Sequence, residues 1–301
     1  MGLLPGDVER PRLEDYARKY EHILVLERAD GILEARLHSE GGVFGSSGWF
    51  NVWHQAWAEI GNDPENEVVI ITATGDRWID YLSPVTAETR DEDITEEMRS
   101  AMLGLTSEEG ALELYTGALK NTQNVIFGLN VPTIGVIQAP AFVHYEAALF
   151  CDITLCSDDA VFNDPHANLG LPPGDGLGMA YQHLMSPKQQ AYYLYTSDTI
   201  DAQTALRLGL VNEALPVDDL MPRAREIARR IMRLPKLSRL MTKQIVRRSA
   251  ERRYVDDGGF HLAHELVSLI RNIADGTAHS PEQVREGLQN FEGGIRHARD
   301  S

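Results

Sequence analysis

Hydrophobic residues in the first quarter of the chain are spaced first as in strands and then as in a helix. Apolar runs at 23–26 and 32–37 flank an Asp-Gly dipeptide at 30–31, a strong signal for a tight turn between two antiparallel strands. Across 49–60, apolar side chains recur every three or four positions, which predicts an amphipathic helix with a buried tryptophan stripe. The β-branched run at 67–72 predicts a buried strand.

Predicted strands and helices continue to alternate through the middle of the chain. Buried strands are predicted at 131–137, 152–156 and 160–162, a short helix at 146–150, and a loop rich in proline and glycine at 164–178. After residue 186 the pattern is helical almost to the end, apart from an interruption at 209–213. Strands that alternate with helices and then give way to helices predict an α/β fold with a parallel sheet. We divide the chain into an α/β core, residues 1–215, and a C-terminal helical region, residues 216–301.

An acidic segment at 86–109 separates the first strands from a predicted helix at 112–127. Either a solvated helix or a mobile lid accounts for this composition, and a solvated face is the commoner of the two.

Composition narrows the functional class. The 301 residues carry 28 lysines and arginines against 45 aspartates and glutamates, and the net charge of −17 repels nucleic acids and anionic membranes. The N-terminus lacks the pattern of a secretory signal, and the apolar stretch 131–156 contains charged residues, which disfavours a membrane span. Two cysteines, Cys151 and Cys156, are too few for a disulfide framework. We therefore expect a cytoplasmic protein that binds neither nucleic acid nor membrane.

Two of the ten histidines follow predicted buried strands and lie near carboxylates, where α/β proteins commonly place their active sites. They are His144, two residues before Glu146, and His166, two residues after Asp164. Asp175, in the loop, either caps the next helix or orients His166. In the second interpretation the imidazole removes a proton from water and the carboxylate stabilises the imidazolium. From the residues alone, a structural role is the commoner one for each of these side chains.

Motifs for metals and cofactors are weak or missing. His261, His264 and Glu265 lie within about one helical turn, but no second helix offers ligands at matching spacing, so we predict no metal site. The glycine-rich stretch at 174–178 lacks the Lys-Ser/Thr of a phosphate loop and the full dinucleotide pattern, and we expect no cofactor. A Gly-x-Ser-x-Gly elbow is absent, which argues against an α/β-hydrolase.

Three stretches between residues 131 and 214 resemble the crotonase (enoyl-CoA hydratase/isomerase) superfamily. They are a short helix that runs into Cys-Asp-Ile at 146–153, the segment FNDPHANLGLPPG at 162–174, and DAQTALRLGLVNE at 201–213. The resemblance implies a crotonase-like ββα spiral core with a helical C-terminal region that takes part in oligomerisation and pocket closure. It also implies a homotrimer or homohexamer, with much of the interface from Leu237 onward.

Departures from the family pattern point away from CoA thioesters. The Gly-Gly-Gly stretch that serves the thioester carbonyl in relatives corresponds to Phe142-Val143-His144, and Ala-Gly-Ala-Asp is replaced by residues 78–82, which include Tyr81 and Leu82. Glu146 matches one acid of the hydratases, whereas His166 stands at the position of the second.

Four features resemble the branch of 6-oxocamphor hydrolase and related β-diketone hydrolases. These are His144, the pair Pro165-His166, Pro-Gly-Asp-Gly at 173–176 and Leu-Ala-His-Glu at 262–265. The resemblance implies retro-Claisen hydrolysis of a carbon-carbon bond in a cyclic β-diketone, without CoA. It assigns His166 as general base, Asp175 as its partner, His144 as donor to the enolate and Glu265 to the pocket. It places Glu146, Val143, Tyr81 and Leu82 against the substrate.

Two alternatives stay open at this point. A hydratase, isomerase or hydrolase of CoA thioesters would be favoured if the chain binds CoA. A noncatalytic binding or scaffold protein of the same fold would be consistent with the replaced oxyanion glycines.

Overall fold

A computed structural model describes residues 10–38, 48–74, 78, 107–142 and 144–274. Val143, Tyr81, Leu82 and most of the acidic segment 86–109 lie outside the described residues. The described helices and strands are α1 (Leu13–Lys19), β1 (Leu24–Ala29), β2 (Ile32–Leu37), α2 (Gly48–Asn62), β3 (Val68–Ala73), α3 (Glu108–Gln123), β4 (Thr133–Ile137), α4 (Glu146–Leu149), β5 (Ile153–Ser157), β6 (Val161–Phe162), α5 (Leu177–Leu184), α6 (Pro187–Thr196), β7 (Ile200–Asp201), α7 (Ala202–Leu208), β8 (Glu213–Leu215), α8 (Val217–Met232) and α9 (Lys236–Ala274).

The predicted hairpin is confirmed. Strands β1 and β2 pair antiparallel, with Ala29 opposite Ile32. Asp30 and Gly31 form the turn with φ of 51° and 80°, and two positive φ angles are what a type I′ turn requires. The turn therefore fixes the register at the edge of the sheet.

The predicted parallel sheet is also confirmed. Its strand order is β1-β2-β3-β4-β5-β8, and every pair from β2 onward is parallel. Strand β3 is buried along its whole length and alternates between two apolar cores. Val69 and Ile71 pack in the core that contains Trp57 of α2, while Val68 and Ile70 pack in the core that contains Ala224 of α8. The sheet is thus covered by helices on both faces, as a parallel sheet requires.

The interruption predicted at 209–213 leads into β8, which pairs with β5 and extends the sheet. Helix α8, which our division assigns to the C-terminal region, then packs on the sheet through Leu220, Ala224 and Ile227. Residues on both sides of position 215 therefore share one apolar core.

Helix α9 is 39 residues long and is tied to the core at several points. Near its start, Lys243 is buried and its Nζ donates to Asp152 Oδ2 at 2.9 Å. Further along, Tyr254 donates to the carbonyl of Leu119 in α3. These contacts hold α9 against α3 and against the connection between α4 and β5. Among the described residues, none of the helices has the length and apolar character that crossing a bilayer demands.

Candidate active site

His166 lies where β6 ends and a short 3₁₀ turn, His166–Leu169, begins. Asp164, which is buried, accepts two hydrogen bonds through Oδ1, one from the backbone N of His166 at 3.0 Å and one from Nδ1 at 2.6 Å. A proton on Nδ1 leaves the lone pair on Nε2. Nε2 lies 3.7 Å from Asp175 Oδ1 and 3.8 Å from Glu265 Oε1. The basic nitrogen of His166 therefore faces two carboxyl groups.

Asp175 does not take the N-cap position of α5, which belongs to Gly176. Its carboxylate instead lies between the two histidines, with Oδ2 3.7 Å from His144 Nδ1. Gly176 has a φ of 142°, and a Cβ there would lie 2.6 Å from Thr122 Oγ1 and 2.9 Å from Glu146 Cγ. Only glycine allows this close approach of the loop, so the capping interpretation gives way to one in which the loop carries Asp175 into the site.

His144 is buried and has a φ of 51°, a left-handed conformation that is uncommon outside glycine. Trp78 Nε1 donates to its carbonyl at 2.9 Å, and the edge of the Trp53 ring packs against its imidazole. Its Nδ1 lies 3.4 Å from Glu146 Oε1. Burial favours the neutral imidazole, but the carboxylates of Glu146 and Asp175 outweigh it and raise the pKa of His144. Burial also raises the pKa of Glu146.

Glu265 reaches the site from α9, 91 positions after Gly174, whose backbone N donates to Oε2 at 3.1 Å. A Cβ on Gly174 would lie 2.6 Å from Glu265 Cβ, so the loop and the helix are in close contact. This contact leaves Oε1 directed at His166.

Burial and charge set the protonation of the site. Burial lowers the pKa of His166, but Asp164 and Asp175 outweigh it and hold the pKa well above its usual value. Burial acts to raise the pKa of Asp175, but attraction by His166 dominates and lowers it. Burial and the charge of Asp175 raise the pKa of Glu265 to about 8. Two neighbouring carboxyl groups thus differ in protonation at neutral pH, a pattern typical of paired acid and base groups.

The structure gathers five of the eight predicted site residues in one cluster of buried and half-buried side chains. They are His144, Glu146, His166, Asp175 and Glu265. The other three, Val143, Tyr81 and Leu82, lie outside the described residues. His264 is exposed on α9 and its Nδ1 contacts the carbonyl of Phe260, so it points away from the cluster.

Asp164 contacts His166 in a way that the sequence pattern did not lead us to predict. We assigned Asp175 to orient His166, whereas the Nδ1 contact belongs to Asp164 and Asp175 faces Nε2. The spacing was a usable signal, because an aspartate commonly accepts from the backbone N two residues later.

One ligand atom each from His166, Asp175 and Glu265 lies within 4.8 Å of the other two, a spacing that also suits a metal ion.

Comparisons with known proteins agree on the family. The profile of the enoyl-CoA hydratase/isomerase family matches residues 101–291. Crotonyl-CoA hydratase of Syntrophomonas wolfei is 29% identical over 235 residues, which cover 77% of this chain and 80% of that protein. Carnitinyl-CoA dehydratase of Proteus mirabilis is 31% identical over 195 residues, which cover 63% of this chain and 67% of that protein.

Solved structures add a relative with a different chemistry. A β-diketone hydrolase of the cyanobacterium Anabaena, bound to (S)-3-oxocyclohexyl acetic acid, superposes with a TM-score of 0.73 at 31% identity. The match covers 88% of this chain and 99% of that one. An enoyl-CoA hydratase/isomerase of Mycobacterium paratuberculosis has a TM-score of 0.71 at 18% identity, over 89% of this chain and 98% of that one, and supports the fold alone. The predicted crotonase-like fold is confirmed, and the chain belongs to the enoyl-CoA hydratase/isomerase (crotonase) family.

Proposed function

We propose that the protein hydrolyses a carbon-carbon bond of a cyclic β-diketone by a retro-Claisen mechanism, without CoA. The observation that carries this proposal is the pair of buried histidines, His144 and His166, on either side of the Asp175 carboxylate. One histidine can act as a base and the other as a donor to developing negative charge. The 31% identity to a β-diketone hydrolase supports the same chemistry.

His166 is the general base in this proposal. With its Nδ1 proton held by Asp164, neutral His166 accepts a proton from water through Nε2 while the water oxygen bonds to one carbonyl carbon. Its raised pKa makes the imidazole a stronger base, but only the neutral form can accept the proton, so kcat should rise with pH as His166 loses its proton. The Asp175 carboxylate, 3.7 Å from Nε2, stabilises the imidazolium that forms.

Collapse of the tetrahedral adduct breaks the bond between the attacked carbon and the carbon between the two carbonyls. The electron pair of that bond forms an enolate, and His144 donates a hydrogen bond to its oxygen. The raised pKa of His144 favours the protonated donor. Glu265, with a pKa of about 8, holds a proton at neutral pH and delivers it to the enolate carbon. The products are a carboxylic acid and a ketone within one opened ring.

A turnover assay tests this proposal. Monocyclic and bicyclic β-diketones are supplied in parallel with crotonyl-CoA and other acyl-CoA thioesters, and products are identified by mass spectrometry. We expect a gain of one water and ring opening with a diketone only. Turnover of a thioester without any diketone cleavage would establish the hydratase or thioester hydrolase alternative, and no turnover of either class would favour the noncatalytic one.

His144→Ala should lower kcat with little change in KM, because a donor to developing charge acts mainly in the transition state. Loss of one such donor typically costs about 10²- to 10³-fold in kcat. Steady-state kinetics on the cleaved diketone measure both constants. A raised KM at unchanged kcat would instead make His144 a substrate-binding contact.

Calorimetry with CoA at low salt should give no detectable binding. Five basic residues near the start of α9 could have offered a phosphate site, but each of them contacts a carboxylate. They are Lys236, Arg239, Lys243, Arg247 and Arg248. Their roughly helical spacing in the sequence predicts a solvated helix face, but this prediction is wrong for Arg239 and Lys243, which are buried. Micromolar CoA affinity would contradict the diketone proposal and favour thioester chemistry.

The protein should assemble into a trimer or a dimer of trimers through α9. The described chain exposes large apolar side chains along this helix, among them Leu237, Ile245, Val255 and Val267, each 69 to 76% exposed. Apolar surface of this kind commonly marks an interface between subunits. Sedimentation should show the assembly at micromolar concentration, and Ile245→Arg should shift it towards monomer. A stable wild-type monomer would contradict the prediction.

A further inference from the structure

We propose that His166, Asp175 and Glu265 form a binding site for a divalent transition metal ion such as Zn²⁺, and that the bound ion blocks the active site. The metal site itself is independent of the reaction, whereas the block rests on the proposed function. An imidazole nitrogen with two carboxylate oxygens is a donor set that Zn²⁺ and its neighbours in the first transition row accept. Mg²⁺ and Ca²⁺ prefer oxygen ligands alone.

The spacing of the three side chains fits such an ion. Each has one ligand atom within 4.8 Å of the other two, and His166 Nε2 lies 3.7 Å from Asp175 Oδ1 and 3.8 Å from Glu265 Oε1. Tetrahedral ligands at ordinary Zn²⁺ distances are roughly 3.4 Å apart. The two separations from His166 Nε2 exceed this by a few tenths of an ångström, and no separation in the set exceeds 4.8 Å, so rotation of the two carboxylate side chains can bring the ligand atoms into range.

The groups that hydrogen-bond to the proposed ligand side chains are of the kind that supports metal binding. Asp164 accepts from His166 Nδ1 at 2.6 Å, which directs the lone pair of Nε2 at the other two ligands. The backbone N of Gly174 donates to Glu265 Oε2 and leaves Oε1 available. A carboxylate on the second ring nitrogen is a recurrent outer contact of ligating histidines in protein zinc sites, where it fixes the tautomer and raises the basicity of the ligand.

Charge at the site also favours a cation. Four buried or half-buried carboxyl groups face two imidazoles, so full ionisation leaves an excess of negative charge even when both histidines are protonated. The ligand side chains of His166, Asp175 and Glu265 are only 11 to 14% exposed, so water screens this excess poorly. A divalent ion offsets two of these charges without protonating either carboxylate of the ligand set.

Binding of the ion has a direct consequence for the proposed chemistry. The metal bond uses the lone pair of His166 Nε2, the same pair that must accept a proton from water. It also holds Glu265 ionised, which removes the proton that we assign to the enolate carbon. The ion therefore acts as an inhibitor in competition with protons and substrate.

Calorimetry with ZnCl₂ on the full chain, stripped with chelator and free of any affinity tag, tests the site. We expect one Zn²⁺ per chain with micromolar affinity, and a CoCl₂ adduct whose visible spectrum shows nitrogen and oxygen coordination. Glu265→Gln and Asp164→Asn should each weaken Zn²⁺ binding about 10- to 100-fold. His264→Ala is the matched control, because it removes an exposed histidine one position before Glu265 and should change nothing.

Absence of saturable Zn²⁺ binding to the folded wild type would overturn the site. So would wild-type affinity in Glu265→Gln, or binding that His264→Ala abolishes. If the protein cleaves a diketone, ZnCl₂ should inhibit it with a midpoint that matches the calorimetric affinity, and loss of activity on chelation would overturn the inhibitory role. If it cleaves none, the proposed function fails while the binding result stands by itself.

Discussion

His166→Ala should lower kcat on a cyclic β-diketone about 10²- to 10⁴-fold, the usual loss when a positioned general base is removed. The side chain is held by Asp164 on one nitrogen and faces Asp175 and Glu265 with the other, so its removal takes away the nitrogen that we assign to accept the proton of water. Steady-state kinetics in chelator-treated buffer measure the effect, so that metal binding does not contribute. Circular dichroism checks that the variant is folded.

His264→Ala, on the same helix as Glu265 but exposed, serves as the control and should keep wild-type turnover. Near wild-type kcat in folded His166→Ala would show that another group activates water. The assignment of the base would then fail, although the family membership would not.

Asp164→Asn should lower kcat by a comparable factor, up to about 10⁴-fold, through the tautomer of His166. An asparagine amide can donate to Nδ1, which places the imidazole proton on Nε2 and removes the lone pair that accepts a proton from water. An aspartate-to-asparagine change beside a catalytic histidine has this effect in serine proteases. Kinetics give the loss in kcat, and ¹⁵N NMR of labelled histidine reports which ring nitrogen carries the proton.

Asp201→Asn is a suitable control, because Asp201 caps α7 by accepting from the backbone N of Thr204 and has no part in the proposed reaction. Unchanged kcat in Asp164→Asn with an unchanged histidine tautomer would contradict the positioning role. It would return that role to Asp175, which we first assigned from the sequence.

Much of the framework could be predicted because it depends on neighbours in the chain. The turn at Asp30-Gly31 follows from the positive φ angles that these two residues tolerate. The tryptophan helix and strand β3 follow from their apolar periodicity, since each buries one or both faces in a fixed pattern. His144 and His166 stood out because each follows a buried strand.

Only the tertiary structure decided how the site is assembled. Strand β8 has three residues, too few for a periodic signal, and it forms because the edge of β5 offers it backbone partners. Arg239 and Lys243 follow a helical spacing typical of a solvated face, yet both are buried because Glu67 and Asp152 pair with them across the fold.

The contacts of His166 show most clearly which interactions the local sequence encodes and which depend on tertiary packing. Its contact with Asp164 spans two residues and is encoded locally, in a turn that any similar sequence can form. Its contacts with Asp175 and Glu265 depend on the close approach of the loop at Gly176 and on the path of α9, which brings in a residue 91 positions after Gly174. The sequence by itself identified the candidate side chains and encodes the contact of Asp164 with Nδ1. Long-range packing decided which carboxyl groups face Nε2 of His166, because that depends on distances that no local spacing specifies.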